Sequence, residues 1–492
     1  MAWGGNDNAV ERWIKQLEEN DPKLISLHIL SFRRISTQEL TQIFKAMARN
    51  TTLKEFYCSG HTLDRDAVEQ LSETLTLNDT LSFLNVGNAS FGQDPDLFGL
   101  LCEGLAVNEG LLTLDFENKG LNKKSLALLL DSIKGHPTIQ HIALGRNGID
   151  DDDMVAISQW LSYHQQVEGK KEGYGLKSIK LEMNDIGPIG ANLLATALEK
   201  QQSGNNNDSP RLCVASFVEE IDISENPLLE GAATLAKQLL QSMPSLQNLK
   251  MSNVCTPKKT EDELKLPPPA LDTMEYEREL ELKNEAALVK ASVFGNELFK
   301  AISQGLKQHQ HMKTLWVDHN GIESTGLSGL DNLIQSLQEI HLRENRINDE
   351  GAAYLSQCPS LTYIELGENL MGVDGLVTLL NASSNKLQRL GLFNNQVHHF
   401  GDDAIPRFET SQVKQLDLGG NGITLKDASM MVNMLLDQGL PNLTLLELGG
   451  NAEDKDMEAW EDLFKTLKEE RSQLQVAWKR LAKEMDSSKP PI

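Results

Sequence analysis

The sequence is poor in cysteine and aromatic residues and has no long apolar run, and each shortage excludes a class of protein. Its 492 residues include five cysteines, which are scattered and never arranged as Cys-x-x-Cys, so neither a disulfide framework nor a zinc site is predicted. No run of 18 apolar residues offers a membrane span. No histidine has a second ligand at metal-binding spacing, and we therefore predict neither a metal ion nor a cofactor.

Motifs of the common enzyme classes are also absent. The sequence contains no G-x-x-x-x-G-K-[ST] phosphate loop, no H-E-x-x-H, no G-x-S-x-G and no set of protein-kinase motifs. We therefore predict a protein that is not an enzyme and has no catalytic residues.

Negative charge dominates the composition. The 71 acidic and 46 basic residues give a net charge of -25, which disfavours nucleic acid and anionic membranes as partners. A protein with a basic patch is the expected partner, and the alternative is that the charge serves solubility alone. The first residues lack the basic start and apolar stretch of a secretory signal, so we expect a cytoplasmic protein, with a nuclear location as the alternative, and a monomer.

A short pattern, L-x-x-L-x-L-x-x-N, recurs along most of the chain. Nine clear copies occupy residues 139–147, 176–184, 218–226, 312–320, 337–345, 361–369, 387–395, 413–421 and 443–451. Five weaker copies begin at Leu24, Leu53, Leu81, Leu111 and Leu246, and they place Phe32, His61, Ala89, Lys119 and Val254 where the asparagine would be. The pattern is that of a leucine-rich repeat, and the copies add up to fourteen units.

The spacing predicts how each repeat folds. Residues 4 and 6 of the pattern lie on one side of a short strand and form a core, while residues 3, 5 and 7 face outward. We expect the asparagine amide to satisfy backbone groups of its own turn and of the next coil. The predicted fold is an α/β leucine-rich repeat solenoid (horseshoe) of about fourteen repeats, with a parallel sheet on the concave face and helices on the convex face.

Apolar residues spaced three and four apart predict helices over 37–48, 64–77, 94–106, 123–133 and 188–198, and the later, shorter repeats should carry shorter helices. We predict one elongated domain. Its parts are an N-terminal capping helix (1–23), the solenoid (24–452) with insertions at 162–175, 200–217 and 255–292, and a C-terminal capping helix with a tail (453–492). Leu474, Ala477 and Leu481 continue the seven-residue spacing of Trp460 and Leu467, which predicts a helical extension of the cap or, alternatively, a coiled-coil partner helix.

One group of outward positions in the later repeats resembles a protein-binding surface. Aromatic side chains lie near arginine and acidic side chains there, a composition typical of binding hot spots. The predicted partner-binding residues are Trp316, Asp318, His341, Arg343, Tyr363, Glu365, Glu368, Arg389 and Phe393. The alternative is that Asp318 and Arg343, or Arg343 and Glu365, form cross-strand ion pairs on a solvated face.

Two further sites are predicted. A secondary acidic patch, with only Lys177 and Lys180 as basic neighbours, could receive a basic partner and consists of Glu182, Glu219, Glu220, Asp222 and Glu225. Thr256, in Thr-Pro-Lys-Lys, matches a proline-directed kinase site.

Repeats of 28 residues with convex helices, such as 184–198, resemble the ribonuclease-inhibitor-like subfamily over about residues 24–452. Residues 440–451 and the acidic stretch after them resemble the end of Ran GTPase-activating proteins. That resemblance implies an arc that holds a small GTPase and orients its glutamine, but the chain ends in Ser-Ser-Lys-Pro-Pro-Ile instead of a long acidic tail. We predict a non-catalytic scaffold or adaptor that binds protein through the concave face. The alternatives are a Ran-type activator and an inhibitor or sensor arm of ribonuclease-inhibitor type.

Overall fold

The computed structural model describes residues 7–163, 175–202, 213–258, 273–382, 386–401, 405–452 and 456–479. The chain divides into two compact units, Met1–Leu246 and Gln247–Ile492. In each unit, short parallel strands form one layer and helices form the other. This arrangement confirms the predicted α/β repeat solenoid.

The first unit contains seven strands and eight helices in its described part. The strands are β1 (Ser26–His28), β2 (Glu55–Ser59), β3 (Phe83–Gly87), β4 (Thr113–Asp115), β5 (His141–Ala143), β6 (Ser178–Lys180) and β7 (Glu220–Asp222). The helices are α1 (Asp7–Glu18), α2 (Thr37–Met47), α3 (Arg65–Leu77), α4 (Pro95–Val107), α5 (Lys123–Ser132), α6 (Met154–Leu161), α7 (Pro188–Gln202) and α8 (Gly231–Ser242).

The second unit contains eight strands and five helices in its described part. The strands are β8 (Asn248–Lys250), β9 (Thr314–Trp316), β10 (Glu339–His341), β11 (Tyr363–Glu365), β12 (Arg389–Gly391), β13 (Gln415–Asp417), β14 (Leu445–Glu447) and β15 (Gln475–Ala477). The helices are α9 (Thr273–Leu306), α10 (Asp349–Leu355), α11 (Val373–Asn381), α12 (Leu425–Leu436) and α13 (Met457–Glu470).

Each of the fourteen predicted repeats contains one strand, and within each unit a strand pairs with the next one along the chain. Ile142 lies opposite Ile179 in the first unit, and Ile340 lies opposite Ile364 in the second. The residues predicted to face inward are buried, as Ile340 and Leu342 show with no exposed surface. Stacked leucine and isoleucine side chains therefore form the core between the sheet and the helices.

The asparagine of each repeat binds the backbone of two coils. Asn184 is fully buried, and its amide nitrogen donates to the carbonyls of Leu181 in its own coil and Leu144 in the coil before. Its amide oxygen accepts from the backbone N–H groups of Asn147 and Ile149, also in the preceding coil. The prediction that the asparagine reaches the next coil was wrong, because the side chain points back along the stack.

Two weak repeats replace the asparagine with other polar side chains. His61 bonds through Nε2 to the carbonyl oxygen of Arg33, 2.9 Å away. Lys119 is fully buried, and its ammonium donates to the carbonyl of Gly87 and the hydroxyl of Ser59. Burial lowers the pKa of Lys119, although nearby carboxylates oppose the shift. In these two repeats, histidine and lysine thus make backbone hydrogen bonds that asparagine makes elsewhere.

The helices predicted for the early repeats are confirmed. α2 to α5 begin and end within one residue of the predicted bounds, and α7 continues past 198 to Gln202. α10 and α11, with 7 and 9 residues, are shorter than the 13-residue α3, as the shorter repeats predict. None of the described helices combines the length and apolar composition needed to cross a membrane.

The segments predicted as insertions lie partly outside the described residues, which exclude 164–174, 203–212 and 259–272. Residues 273–292 of the third segment belong to α9, a helix of 34 residues. From Ala291 onward α9 buries Leu298, Phe299 and Ile302 against its repeat, whereas Leu288 and Val289 are exposed. The last part of the predicted insertion is therefore continuous with the helix of a repeat.

Capping structures occur at both predicted places. In α1, Trp13 and Leu17 are buried. At the other end α13 buries Trp460, Phe464 and Leu467. The predicted helical extension through Leu474 and Ala477 was wrong, because this segment pairs with β14 as strand β15. Leu481 lies outside the described residues. The boundaries predicted for the domains stay predictions.

Candidate functional site

The sheet face of the second unit aligns the predicted partner-binding residues. Glu339, Tyr363 and Arg389 lie opposite one another on β10, β11 and β12. Trp316 and Glu365 lie on either side of His341 on β9, β10 and β11. Because repeats of similar length place equivalent residues in register, side chains far apart in sequence become neighbours.

Three rings stack across these strands, and we call Trp316, His341 and Tyr363 the ring cluster. The Trp316 and His341 rings are almost parallel, with centroids 3.7 Å apart and an angle of 11°. The Tyr363 ring meets His341 edge to face at 5.1 Å. Such contacts stabilise the arrangement beyond the burial of apolar area.

Cations flank the ring cluster on both sides. The guanidinium of Arg389 lies 4.2 Å from the centre of the Tyr363 ring. The ammonium of Lys250 lies 5.7 Å from the centre of the Trp316 ring. Both distances are within the range of cation–π attraction, so the row of rings begins and ends with a positive charge. Lys250 was not predicted, because its repeat is a weak copy and its position 5 was not considered.

His341 is held neutral inside the ring cluster. It is only 7% exposed, and its Nε2 has no hydrogen-bond partner in the described part of the chain. Burial lowers its pKa to about 4, and the charges of Arg389 and Lys250 act in the same direction. The imidazole is therefore uncharged at neutral pH and contributes a planar aromatic surface to the ring cluster.

Arg343 and Phe393 continue the surface. The guanidinium of Arg343 lies 5.7 Å from the centre of the Phe393 ring and forms ion pairs with Glu368 and Glu344. These partners differ from Asp318 and Glu365, the partners in the alternative prediction. Asp318 instead accepts a hydrogen bond of 2.7 Å from the backbone N–H of Arg343. Contacts thus link Arg343 with Phe393, Glu368 and Asp318, but the ion pairs predicted for Arg343 in the alternative were assigned incorrectly.

The carboxylate of Glu365 occupies space that two glycines leave free. It accepts hydrogen bonds from the Tyr363 hydroxyl at 2.8 Å and the backbone N–H of Gly367 at 2.9 Å. A Cβ atom at Gly391 would collide with this carboxylate, and one at Gly367 would approach it closely. The glycines therefore let an acidic side chain lie flat against the sheet.

Two aspartates on this face have raised pKa values. Burial raises the pKa of Asp318 to about 6. Burial also raises the pKa of Asp417 to about 6, and the nearby carboxylates Glu447 and Glu365 add to the shift. A positive group brought by a partner would favour ionisation of both, so the face is suited electrostatically to a cation. Asp417 was not among the predicted partner-binding residues.

The predicted acidic patch lies on the sheet face of the first unit, along β6 and β7. Lys177 pairs with Glu219 at 3.0 Å, and Lys180 lies opposite Asp222. Glu182 has one buried carboxylate oxygen that finds no hydrogen-bond partner among the residues the structure describes, and burial raises the pKa of this side chain. The patch is therefore partly neutralised by its lysines.

Thr256 follows β8 and is partly exposed. Its hydroxyl donates a hydrogen bond to the side-chain oxygen of Asn253. A phosphate on Thr256 would remove that bond. Modification of this residue stays a prediction.

Comparison with known proteins agrees with the repeat architecture. A family model described as Leucine Rich repeat matches residues 135–158 and 334–356. The chain is a leucine-rich repeat protein. Its assignment to the ribonuclease-inhibitor-like subfamily stays a prediction.

Similar proteins share short parts of this leucine-rich repeat protein. Leiomodin-2 of Homo sapiens is 26% identical over 115 residues, which cover 23% of this chain and 21% of that protein. NACHT, LRR and PYD domains-containing protein 14 of Mus musculus is 28% identical over 193 residues, which cover 39% of this chain and 17% of that protein. The chain thus matches between 17% and 21% of the length of these relatives.

The crystal structure of a TLR13–ssRNA13 complex is also similar to this leucine-rich repeat protein. It has 13% identity and a TM-score of 0.39, and the match covers 88% of this chain and 58% of that chain.

Histidine, cysteine and carboxylate side chains of the described residues are potential metal ligands, and a cysteine thiol can also act as a nucleophile. Among them, no group of three or more His, Cys, Asp or Glu side chains could hold a metal ion. The five cysteines are buried, and burial raises the pKa of Cys58, Cys102, Cys255 and Cys358 to about 12. These four thiols are therefore protonated at neutral pH and poor nucleophiles.

Proposed function

We propose that this leucine-rich repeat protein is a non-catalytic scaffold, and that it binds a protein with a basic patch through the sheet face around the ring cluster. The single observation that supports this most is the stack of Trp316, His341 and Tyr363 on a partly exposed face. Aromatic and arginine side chains supply most of the binding energy at many protein interfaces. A pre-stacked cluster also loses little side-chain entropy when a partner docks.

Charge on this face favours a basic partner. Glu365, Asp417 and Glu447 lie at equivalent positions of β11, β13 and β14, and Gly391 separates the first two. Ionisation of Asp417 is unfavourable next to the carboxylates of Glu365 and Glu447. A lysine or arginine from a partner would make that ionisation more favourable. Arg343, which already pairs with Glu368, would set the edge of this acidic region.

Affinity purification followed by mass spectrometry tests the proposed surface. We expect the double variant Trp316→Ala/Arg343→Ala to lose partners that the wild-type chain retains, with affinity reduced at least about tenfold. Tyr354→Ala is the matched control, because Tyr354 is a half-buried aromatic residue on helix α10 of the same unit. Retention of every partner by the double variant, or an equal loss in the control, would contradict the proposal.

A GTP hydrolysis assay separates the scaffold from the Ran-type activator suggested by residues 440–451. With Ran and related small GTPases, we expect no change in the rate of hydrolysis. An activator would accelerate hydrolysis by several orders of magnitude. Such an acceleration would replace the scaffold proposal with the enzymatic one.

A further inference from the structure

A second row of rings crosses the sheet face at the start of the first unit. His28, Tyr57 and Phe83 lie on β1, β2 and β3, and we call them the N-terminal ring row. The centroids of His28 and Tyr57 are 3.9 Å apart at 26°, and those of Tyr57 and Phe83 are 4.2 Å apart at 27°. Three consecutive strands thus present one continuous stack of aromatic faces.

Apolar side chains next to this row are unusually exposed. Leu30, two residues after His28 and therefore on the same face of the chain, is 51% exposed. Phe32, in the turn that follows, is 77% exposed. A large aromatic side chain in water gains about 2 kcal/mol or more when it is buried, so a partner that covers Phe32 would bind more tightly.

The charged side chains on this face are acidic. At the outward strand positions of the first four repeats the charged side chains are Glu55, Asp115 and Glu117. Glu117 pairs with Arg146 at 3.1 Å, and Arg33 and Arg34 follow Phe32 in the sequence. Asp115 accepts a hydrogen bond of 2.7 Å from the Asn85 amide. The ammonium of Lys119 comes within 2.8 Å of the Ser59 hydroxyl but is buried beneath the sheet. Burial raises the pKa of Tyr57, and the carboxylates of Glu55 and Asp115 add to the shift. These two carboxylates therefore attract positive charge to the neighbourhood of the Tyr57 ring.

Ring faces and carboxylates together favour arginine over lysine. A planar guanidinium stacks on an aromatic face while its N–H groups bond to carboxylates, whereas an ammonium acts as a point charge. His28 is the terminal ring of the row and is exposed, and β1 pairs only with β2 among the described strands. A second copy of the chain is a poor occupant, because each copy carries a net charge of -25.

We propose that the N-terminal ring row, with Leu30 and Phe32, binds an arginine-containing peptide segment of a partner protein. The guanidinium stacks on the rings beside Glu55, and an apolar side chain of the segment covers Phe32. This surface is distinct in sequence and composition from the ring cluster of the second unit. The two proposals can therefore fail separately.

Selection from a random dodecapeptide phage library tests this inference. The bait is the full chain with Trp316→Ala/Arg343→Ala, which disables the surface proposed for the second unit. Counter-selection uses the same chain with Tyr57→Ala and Phe32→Ser added. We expect enriched peptides to contain arginine next to an apolar residue. No enrichment, or enrichment of peptides without arginine, would overturn the proposal.

Fluorescence polarisation with the synthesised peptides then measures each contribution on the otherwise wild-type chain. We expect Tyr57→Ala and Phe32→Ser each to weaken binding about tenfold, and arginine-to-lysine replacement in the peptide to weaken it about threefold. Phe32→Ser is informative even if Tyr57→Ala disturbs the sheet, because Phe32 is almost fully exposed. Leu333→Ser, which alters another exposed apolar residue, should leave binding unchanged. Unchanged affinity in Phe32→Ser would overturn the proposal.

Sedimentation velocity tests whether a second copy of the chain occupies this surface. We expect the wild-type chain and Phe32→Ser to have the same oligomeric state. A wild-type dimer that Phe32→Ser converts to a monomer would show that a second copy occupies the face, and it would overturn the peptide proposal.

Discussion

Replacing Asn184 with alanine removes one link between two coils of the first unit. The side chain is fully buried, and the four shortest of its hydrogen bonds with backbone groups measure 2.8–3.1 Å. Three of these bonds involve the preceding coil. The substitution therefore leaves buried N–H groups on Asn147 and Ile149 without their acceptor.

The expected loss of stability follows from those bonds. A typical hydrogen bond contributes about 1 kcal/mol net, and a buried group left unpaired costs about 1–3 kcal/mol. Four lost bonds give about 4 kcal/mol, and water entering the vacated space would reduce this. We expect Asn184→Ala to lower the free energy of unfolding of its unit by about 2–5 kcal/mol.

Hydrogen exchange and urea denaturation measure this effect. We expect faster exchange at the amides of Asn147 and Ile149, together with a lower urea midpoint. Asn184→Asp keeps an acceptor and, as the neutral acid, an O–H donor, so its loss of stability should be smaller than that of Asn184→Ala at acidic pH. Asn192→Ala, an exposed position on α7, is the matched control and should change stability by less than about 0.5 kcal/mol. A loss below about 1 kcal/mol in Asn184→Ala would refute the role of the asparagine link.

Two further predictions concern the second unit. The pKa of Asp318 is raised from 3.8 to about 6, so the folded chain holds a proton that the unfolded chain has released, and stability falls as pH rises through that window. Asp318→Asn cannot titrate, so its stability relative to the wild type should increase as pH rises from about 4 to about 7. Urea denaturation at several pH values measures this, and a difference in midpoint that stays constant with pH would contradict the prediction. Gly391→Ala should destabilise the unit by at most about 1 kcal/mol, because the new methyl group displaces only the flexible carboxylate end of Glu365 and with it the hydrogen bond from Tyr363. Thermal unfolding measures this loss of stability. Adding Glu365→Ala to the Gly391→Ala variant should restore most of it, and no recovery would show that the strain does not come from Glu365.

Much of the fold could be predicted from sequence because the repeat fixes both burial and register. Each predicted repeat supplied its strand, and the early helices began and ended close to their predicted residues. β15 could not be predicted, because Leu474 and Ala477 fit a helical spacing as well as a strand. Pairing with β14 and stacking of Trp478 on Trp460 at 6.0 Å decide the outcome, and both are contacts between distant residues.

The candidate site was predictable in position but not in detail. Alignment of repeat positions brought Trp316, His341 and Tyr363 together as expected. Arg343 chose Glu368 because a long, flexible side chain can reach several carboxylates, and sequence spacing does not rank them. The N-terminal ring row was not predicted, although the same alignment places His28 and Tyr57 at position 5. Its repeats are weak copies of the pattern, because they lack the asparagine.

The backward reach of the asparagines gives the stack a direction. The backbone N–H of Ile347 donates to the side-chain oxygen of Asn369, and the backbone N–H of Ile322 donates to that of Asn345. Backbone groups of one coil are therefore satisfied by the asparagine of the next coil. On the ribosome, the most recently emerged coil must therefore wait for its successor before its peptide groups are satisfied. Truncation between two coils would leave backbone groups of the final coil unsatisfied, whereas removal of coils from the front would instead leave the first remaining asparagine without its partners in the preceding coil.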